Sequence, residues 1–478
     1  MSNYYYITTT LPYVNADPHI GFALEIVQAD VLARYYQALG KKVFFNTGTD
    51  EHGQKIYQKA LQNHQDPQTY CDTYAAKFNL LKQKLNLSYN SFIRTTQESH
   101  IRAAQHFWNL CLQKEDIYKA NQEIKYCVGC EMEKTDSELI DGKCSLHPNQ
   151  DLEIRLEENY FFRFSNYQDK LIELYQDNKN LVIPQFRQEE IKNFVESNLQ
   201  DFSVSRLKTK MPWGIPVPND PDHVMYVWFD ALINYISSLG WPENNPNFTN
   251  YWGTIDQPRA VQVAGKDNLR QQAAIWQAML MSAGLPNSKQ IFIHGFVTSS
   301  GVKMSKSLGN VVNPFDIVDK YGHDALRYYL LKEIHPYNDS DFTQARFIDI
   351  YNSDLANGLG NLVQRVTKMC EQNDVSLAYH QDYCHKQSQH LNNYAFHLAI
   401  QDIWKLISET DKKVNDQKPW QLDTIKAKQI LTELAQDILS IAWRLQIFLP
   451  DTADKIIKIF TSEKILAPEA PLFPRINN

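Results

Sequence analysis

The 478-residue chain carries 48 basic and 55 acidic side chains, a formal net charge of −7, with 43 % hydrophobic and 12 % aromatic residues. Such a composition builds large cores and excludes a disordered chain. Only 17 glycines and 20 prolines exclude a collagen-like one, and no run of about 20 apolar residues offers a transmembrane helix. The acidic balance speaks against a nucleic-acid partner, which usually meets a basic surface.

The length suggests about three domains. The opening MSNYYYITTTLPY lacks the basic stretch and apolar core of a secretory signal. Seven cysteines are too few for a disulfide scaffold. Cys71, Cys111, Cys370 and Cys384 read as small buried apolar residues, and a cytoplasmic location is expected.

Residues 4–10 (YYYITTT) are β-branched and aromatic and predict a strand. Pro12, Asn15, Asp17 and Pro18 mark a turn. Residues 20–39 have helical spacing and stop at Gly40; residues 43–46 (VFFN) predict a second strand, and TGTDEHG reads as a turn. This strand–helix–strand unit implies a parallel sheet, whose ligands bind at the carboxyl ends of strands. Residues 121–158 are polar, with short strand-like pieces and a Cys/His cluster, and read as an insertion. Residues 260–265 and 290–295 predict further strands. From about residue 350 to residue 463 the pattern is that of a helical bundle.

Three signals carry chemistry. His19 and Gly21 open the first helix, where free N–H groups and the helix dipole suit a phosphate. Lys303 and Lys306 flank small residues in KMSKS, which suits the charge of a developing pyrophosphate. Cys127 and Cys130, then Cys144 and His147, each pair separated by two residues, offer four ligands to one tetrahedral ion. Four protein ligands leave no open position, so one structural Zn2+ is expected.

HIGF (19–22) and KMSKS (303–307) resemble the two ATP motifs of class I aminoacyl-tRNA synthetases. LPYVNADPHIG (11–21), TGTDEHG (47–53), SRLKTKMPWGIPVP (205–218), YVWFDALINY (226–235), GKD (265–267), GVKMSKSLGNVV (301–312), GNLVQR (360–365) and KPW (418–420) are similar to the methionyl-tRNA synthetase family in particular. The likeness runs in order from residue 5 to about residue 475.

The resemblance implies an α/β protein: a class I Rossmann-like parallel-sheet catalytic domain, a zinc-binding connective insertion and a C-terminal α-helical anticodon-binding bundle. Matched segments divide the chain at 1–115 and 223–298 for the catalytic domain, 116–222 for the insertion with its knuckle at 127–147, 299–350 for the KMSKS loop and linker, and 351–478 for the bundle. It implies ATP-dependent attachment of L-methionine to tRNA(Met) through methionyl-adenylate, with Mg2+ on ATP. His19 and Gly21 match the ATP site, Lys303 and Lys306 the pyrophosphate site. Asp50 matches the partner of the amino acid's ammonium, and Arg206 the arginine near it. Leu11, Tyr13, Trp228, Ala231, Leu232 and Tyr235 match the side-chain pocket. Asn361 and Arg365, four apart on one helix face, match the readers of the CAU anticodon, and Trp420 the residue that stacks on it. No OB-fold segment follows in these residues, and a monomer with no membrane partner is expected.

Three positions depart from the family. Phe22 replaces the second histidine of HIGH and cannot donate a hydrogen bond, which weakens the expectation of fast adenylation. Asn268 stands where the family usually has isoleucine, and Gln272 where it has histidine, both at the amino-acid side chain. Two amides in an apolar pocket need partners. They leave open a paralogue with altered amino-acid preference or analogue resistance, or a synthetase-like tRNA-binding protein without useful catalysis. The bundle, 351–478, holds 14 basic and 15 acidic residues. Recognition of tRNA there rests on a few placed side chains rather than on bulk charge.

Overall fold

The computed structural model describes residues 2–134, 138–299, 301–304, 310–377 and 388–476. Two compact units emerge. One combines Met1–Pro18, Val43–Leu80 and Tyr89–Ile293; the other combines His19–Lys42, Leu81–Ser88 and His294–Asn478.

The first unit is built on a six-stranded sheet in the order Ser91–Arg94, Lys42–Thr49, Tyr4–Thr9, Ala260–Gly265, Gln290–His294, Val182–Ile183. Tyr6 lies opposite Ala260, Asn46 opposite Ser91 and Ile291 opposite Val182, all in parallel register. The second strand runs through Thr49, so TGT of TGTDEHG is strand rather than turn. Gly48 permits this: a Cβ there would sit 1.8 Å from the carbonyl oxygen of Ile93 on the neighbouring strand. Helix Glu98–Gln113 buries Ala103, Ala104, Phe107, Trp108 and Cys111. Phe107 stacks on Trp276 at 5.8 Å and Trp108 meets Phe229 edge-on at 5.3 Å. Such pairs add about 0.5–1.5 kcal/mol each beyond burial.

The insertion is not made only of short pieces. Ile117–Cys127 and Glu153–Phe162 form a long antiparallel hairpin, paired from Ile117↔Phe162 to Tyr126↔Glu153. The Cys/His cluster hangs from its far end.

In the second unit, helix Ile20–Ala38 is buried along most of its length, including Glu25, Gln28 and Asp30. Buried charges need partners. Glu25 faces His294 Nε2 at 3.0 Å. Asp30 accepts from Ser88 N–H at 2.6 Å and pairs with Arg34 at 2.7 Å and Arg327 at 2.8 Å. Arg327 also donates to the carbonyls of Phe448, Leu85 and Ile447 at 2.8, 3.2 and 3.3 Å. The arginine partners hold the Asp30 carboxyl below its ordinary range against the opposing effect of burial. Helices Asn361–Gln372, Phe396–Gln417, Thr424–Leu445 and Pro450–Phe460 form the C-terminal bundle. Among the described residues no helix is long and apolar enough to cross a membrane.

Candidate active site and metal centre

The backbone places Tyr13 beside Asp50. The two form a parallel bridge, with Asp50 N–H donating to Pro12 O at 3.0 Å and Val14 N–H to Asp50 O at 3.3 Å. Asp50 is 2 % exposed, and its Oδ1 is buried with no hydrogen-bond partner among the described residues. Burial pushes its carboxyl well up, and the neighbouring carboxylates of Asp230, Glu131 and Glu51 push the same way. A buried acceptor among negative neighbours is a site for a cation. Trp228 meets Tyr13 edge-on at 6.3 Å, and its Nε1–H is likewise buried and unpartnered among the described residues. Tyr13 and Trp228 pack against Tyr126, Tyr226 and Val227. Arg206 lies 4.3 Å over the Tyr226 ring and 5.4 Å over Tyr126, with Nη1 donating to Ser203 Oγ at 2.6 Å and Ser205 O at 2.7 Å.

Two contributors to this pocket escape sequence reasoning. Glu131 is buried, takes a left-handed backbone (φ 51°) and accepts the Lys55 N–H at 3.0 Å. Burial pushes its carboxyl up to about 7, offset in part by Lys55. It follows Cys130 directly, so it reads as part of the metal loop. Asp230 anchors His52 Nδ1 at 2.9 Å and His100 Nε2 at 3.3 Å. Those two histidines hold its carboxyl down against burial.

Ala231 closes the short helix Val227–Ala231, Leu232 follows it, and Tyr235 lies in Asn234–Ser237; all three are buried. Leu11 is half-buried in the loop after the first strand. Asn268 and Gln272 do not share a regular α-helix face. Asn268 ends a 3-10 turn, Lys266–Asn268, and Gln272 lies in a π-helical turn, Gln271–Ile275. Asn268 is only half-buried, its amide 3.4 Å from Asp267 Oδ1. Gln272 is 1 % exposed, and its amide is satisfied within the protein: Oε1 accepts from Gln262 at 2.9 Å, and Nε2 donates to Tyr235 Oη at 2.6 Å. The two amides are therefore not orphaned in an apolar pocket.

His19 caps helix Ile20–Ala38. Its Nδ1 accepts the N–H groups of Gly21 at 3.1 Å and Phe22 at 3.4 Å. The Ile20 N–H donates to Val312 O at 3.0 Å, which ties the segment after KMSKS to the same helix start. The first turn thus uses its own N–H groups internally, contrary to the expectation that they stand free for a phosphate. An accepting Nδ1 puts the ring proton on Nε2, on an exposed histidine. Phe22 is buried. Lys303 ends the strand Val302–Lys303, paired with Thr298; Lys306 lies outside the described residues.

Cys127, Cys130, Cys144 and His147 bring their ligand atoms within 4.8 Å of one another. Cys130 Sγ lies 3.4 Å from Cys144 Sγ and 3.1 Å from His147 Nδ1, and Cys127 Sγ lies 3.8 Å from the same nitrogen. The edges of a tetrahedron with metal–sulfur bonds near 2.3 Å and metal–nitrogen bonds near 2.0 Å are about 3.5–3.8 Å. The donor set fits a thiophilic ion, and a disulfide at about 2.05 Å is excluded. Gly129 makes room, since a Cβ there would come 2.5 Å from the His147 ring.

Asn361 and Arg365 share the α-helix Asn361–Gln372. Asn361 is exposed. Arg365 pairs with Asp411 at 2.8 Å and donates to Asn415 Oδ1 at 2.8 Å. Helix Phe396–Gln417 ends at Lys418 in a left-handed conformation (φ 46°), and the following turn Pro419–Gln421 carries Trp420, 53 % exposed.

Comparison with known proteins agrees with this geometry. A family model for class I (M) tRNA synthetases matches residues 5–146 and 133–367. The methionine–tRNA ligase of Thermosynechococcus vestitus is 42 % identical over 95 % of this chain and 90 % of its own length. That of Thermotoga maritima is 38 % identical over 96 % and 76 %. The structure of Mycobacterium tuberculosis methionyl-tRNA synthetase in complex with methionyl-adenylate superposes with a TM-score of 0.90 at 32 % identity, covering 99 % of this chain and 100 % of that one. Fold, motifs and relatives together establish that the chain belongs to the methionine–tRNA ligases, within the class I aminoacyl-tRNA synthetases.

Proposed function

We propose that the chain attaches methionine to tRNA(Met) in two ATP-dependent steps. The methionine carboxylate attacks the α-phosphorus of ATP, and pyrophosphate leaves as methionyl-adenylate forms. A ribose hydroxyl at the tRNA 3′ end then attacks the carbonyl, and AMP leaves. Positioning and charge stabilisation carry the acceleration.

The observation that carries this reading is Asp50, a buried carboxylate with one oxygen lacking a hydrogen-bond partner among the described residues, bridged to Tyr13, whose ring meets Trp228 edge-on. Asp50 takes the ammonium of the amino acid. Tyr13, Trp228, Ala231, Leu232, Tyr235 and Leu11 enclose the side chain, and aromatic walls suit a thioether. Arg206 holds the tyrosine wall in place. His19 offers Nε2–H to the phosphates, and Lys303 and Lys306 take the charge of the leaving pyrophosphate. Mg2+ accompanies ATP as its counter-ion. Cys127, Cys130, Cys144 and His147 hold Zn2+, which supplies cross-linking of the insertion and no chemistry. Asn361, Arg365 and Trp420 read the anticodon.

Methionine-dependent ATP–pyrophosphate exchange, followed by charging of tRNA(Met), tests the proposal. Exchange with methionine at ordinary affinity supports it; absence of any methionine-dependent exchange overturns it. The internal satisfaction of Gln272 favours methionine itself over a polar analogue.

A further inference from the structure

Helix Gln54–Gln62 starts without a cap of its own. Its N-cap position is Gly53, which has no side chain to accept a hydrogen bond, and its first turn holds no acidic residue. The missing acceptor comes from the metal loop: Glu131 Oε1 accepts the Lys55 N–H at 3.0 Å. Lys55 is the second residue of the helix, the position an N-cap side chain ordinarily serves, and a carboxylate there also suits the helix dipole. The same loop holds the other end of Lys55, whose Nζ donates to Gly129 O at 3.2 Å. Gly53 makes the approach possible, since a Cβ there would come 3.0 Å from Glu131 Oε2, on a backbone with φ 111°. Glu131 is 2 % exposed, and a carboxylate is buried at a cost that only placed donors offset.

We propose that Glu131 is a positioning residue for the amino-acid site, a cap lent to helix Gln54–Gln62 by the Cys127–Cys130 turn. Only Glu51, His52 and Gly53 separate that helix from Asp50, and the His52 N–H of this turn donates to the Asp50 carboxylate. Fixing the helix start therefore fixes the turn, and the turn aims the carboxylate. Glu131 directly follows Cys130 and has a left-handed backbone, φ 51°. Its direction is set by how Cys130 is held, so Cys130 bound to a metal keeps Glu131 on Lys55. Glu131 works through Asp50 rather than on the reacting atoms. The inference rests on the reading of Asp50 as the partner of the ammonium.

Glu131→Gln and Glu131→Ala test this, because both remove the same charge and only glutamine keeps an acceptor for Lys55. The difference between them reads the hydrogen bond alone. Methionine binding is measured by calorimetry without ATP, and amide exchange over residues 54–57 by mass spectrometry, with thermal unfolding as the control for folding. Glu131→Ala is expected to bind methionine about threefold to tenfold more weakly than Glu131→Gln, the contribution of one helix cap. Exchange over residues 54–57 quickens by a like factor, and KM for ATP is the same in both. Chelator-stripped wild type loses methionine affinity and exchange protection to a similar extent, whereas stripping Glu131→Ala adds no further loss. Equal affinity and equal exchange in the two variants overturn the cap and leave the proposed function standing. A stripped Glu131→Ala that loses as much again as the stripped wild type overturns the link to the metal loop. Should Glu131→Ala fail to fold, the wild type with and without metal carries the test, and unchanged exchange over residues 54–57 overturns the proposal. A wild type that binds no methionine overturns the proposed function and the positioning role with it.

Discussion

Asp50 is where function and stability pull apart. Its folded carboxyl titrates above its unfolded value because of burial and three neighbouring carboxylates. Such a group favours the folded chain when protonated, and that contribution is lost as pH rises through the folded pKa. In the proposed role of Asp50, the ammonium of methionine reverses the balance by favouring the carboxylate. In that reading, binding releases a proton wherever the free carboxyl is still protonated, and KM for methionine rises as pH falls. Calorimetric titration in buffers of different ionisation enthalpy checks this; heats independent of the buffer contradict it. Asp50→Asn removes the counter-charge and is expected to raise KM for methionine about 100-fold, while the unliganded protein melts at the same or a higher temperature. The residue was legible in the sequence through TGTDEHG. Its partners Glu131 and Asp230 were not, because they arrive from 81 and 180 residues further along the chain.

At the scale of elements, the Cys/His loop was fully legible, since pair spacing and ligand chemistry are local properties. Metal removal is expected to loosen it: stripping with a chelator, or Cys130→Ser, releases one zinc equivalent by colorimetric assay. Amide exchange then speeds across residues 127–147 while the hairpin base near Ile117 and Phe162 stays protected. Uniform exchange before and after would contradict a structural role. Less legible was the start of the first helix. Sequence pattern finds a phosphate-friendly N-terminus, yet the structure has His19 consume the N–H groups of Gly21 and Phe22. A short polar side chain folding back on its own turn is a capping event that periodicity does not encode. The same holds for Gln272, whose partner Gln262 lies on a strand ten residues earlier and became visible only in three dimensions.

For the molecule as a whole, the net charge of −7 points away from tRNA, and a handful of placed residues points toward it. The two views make different predictions about salt. With few phosphate contacts, log affinity for tRNA falls shallowly against log salt, well short of the slope of about −10 seen when many phosphates are neutralised. Arg365→Ala is expected to weaken tRNA binding about tenfold, the order of one charge-assisted contact, and to leave tRNA-independent pyrophosphate exchange intact; filter binding across a salt series measures both. The compact unit that holds His19 also holds the segment after KMSKS and the bundle. Within it, Arg327 gathers the Asp30 carboxylate with the carbonyls of Leu85, Ile447 and Phe448. A buried guanidinium missing any of these acceptors is costly. On the ribosome, then, the helix Ile20–Ala38 has to wait for Ile447 and Phe448, far along the chain, before its socket can close. The segment proposed to meet ATP is synthesised long before the residues that lock it.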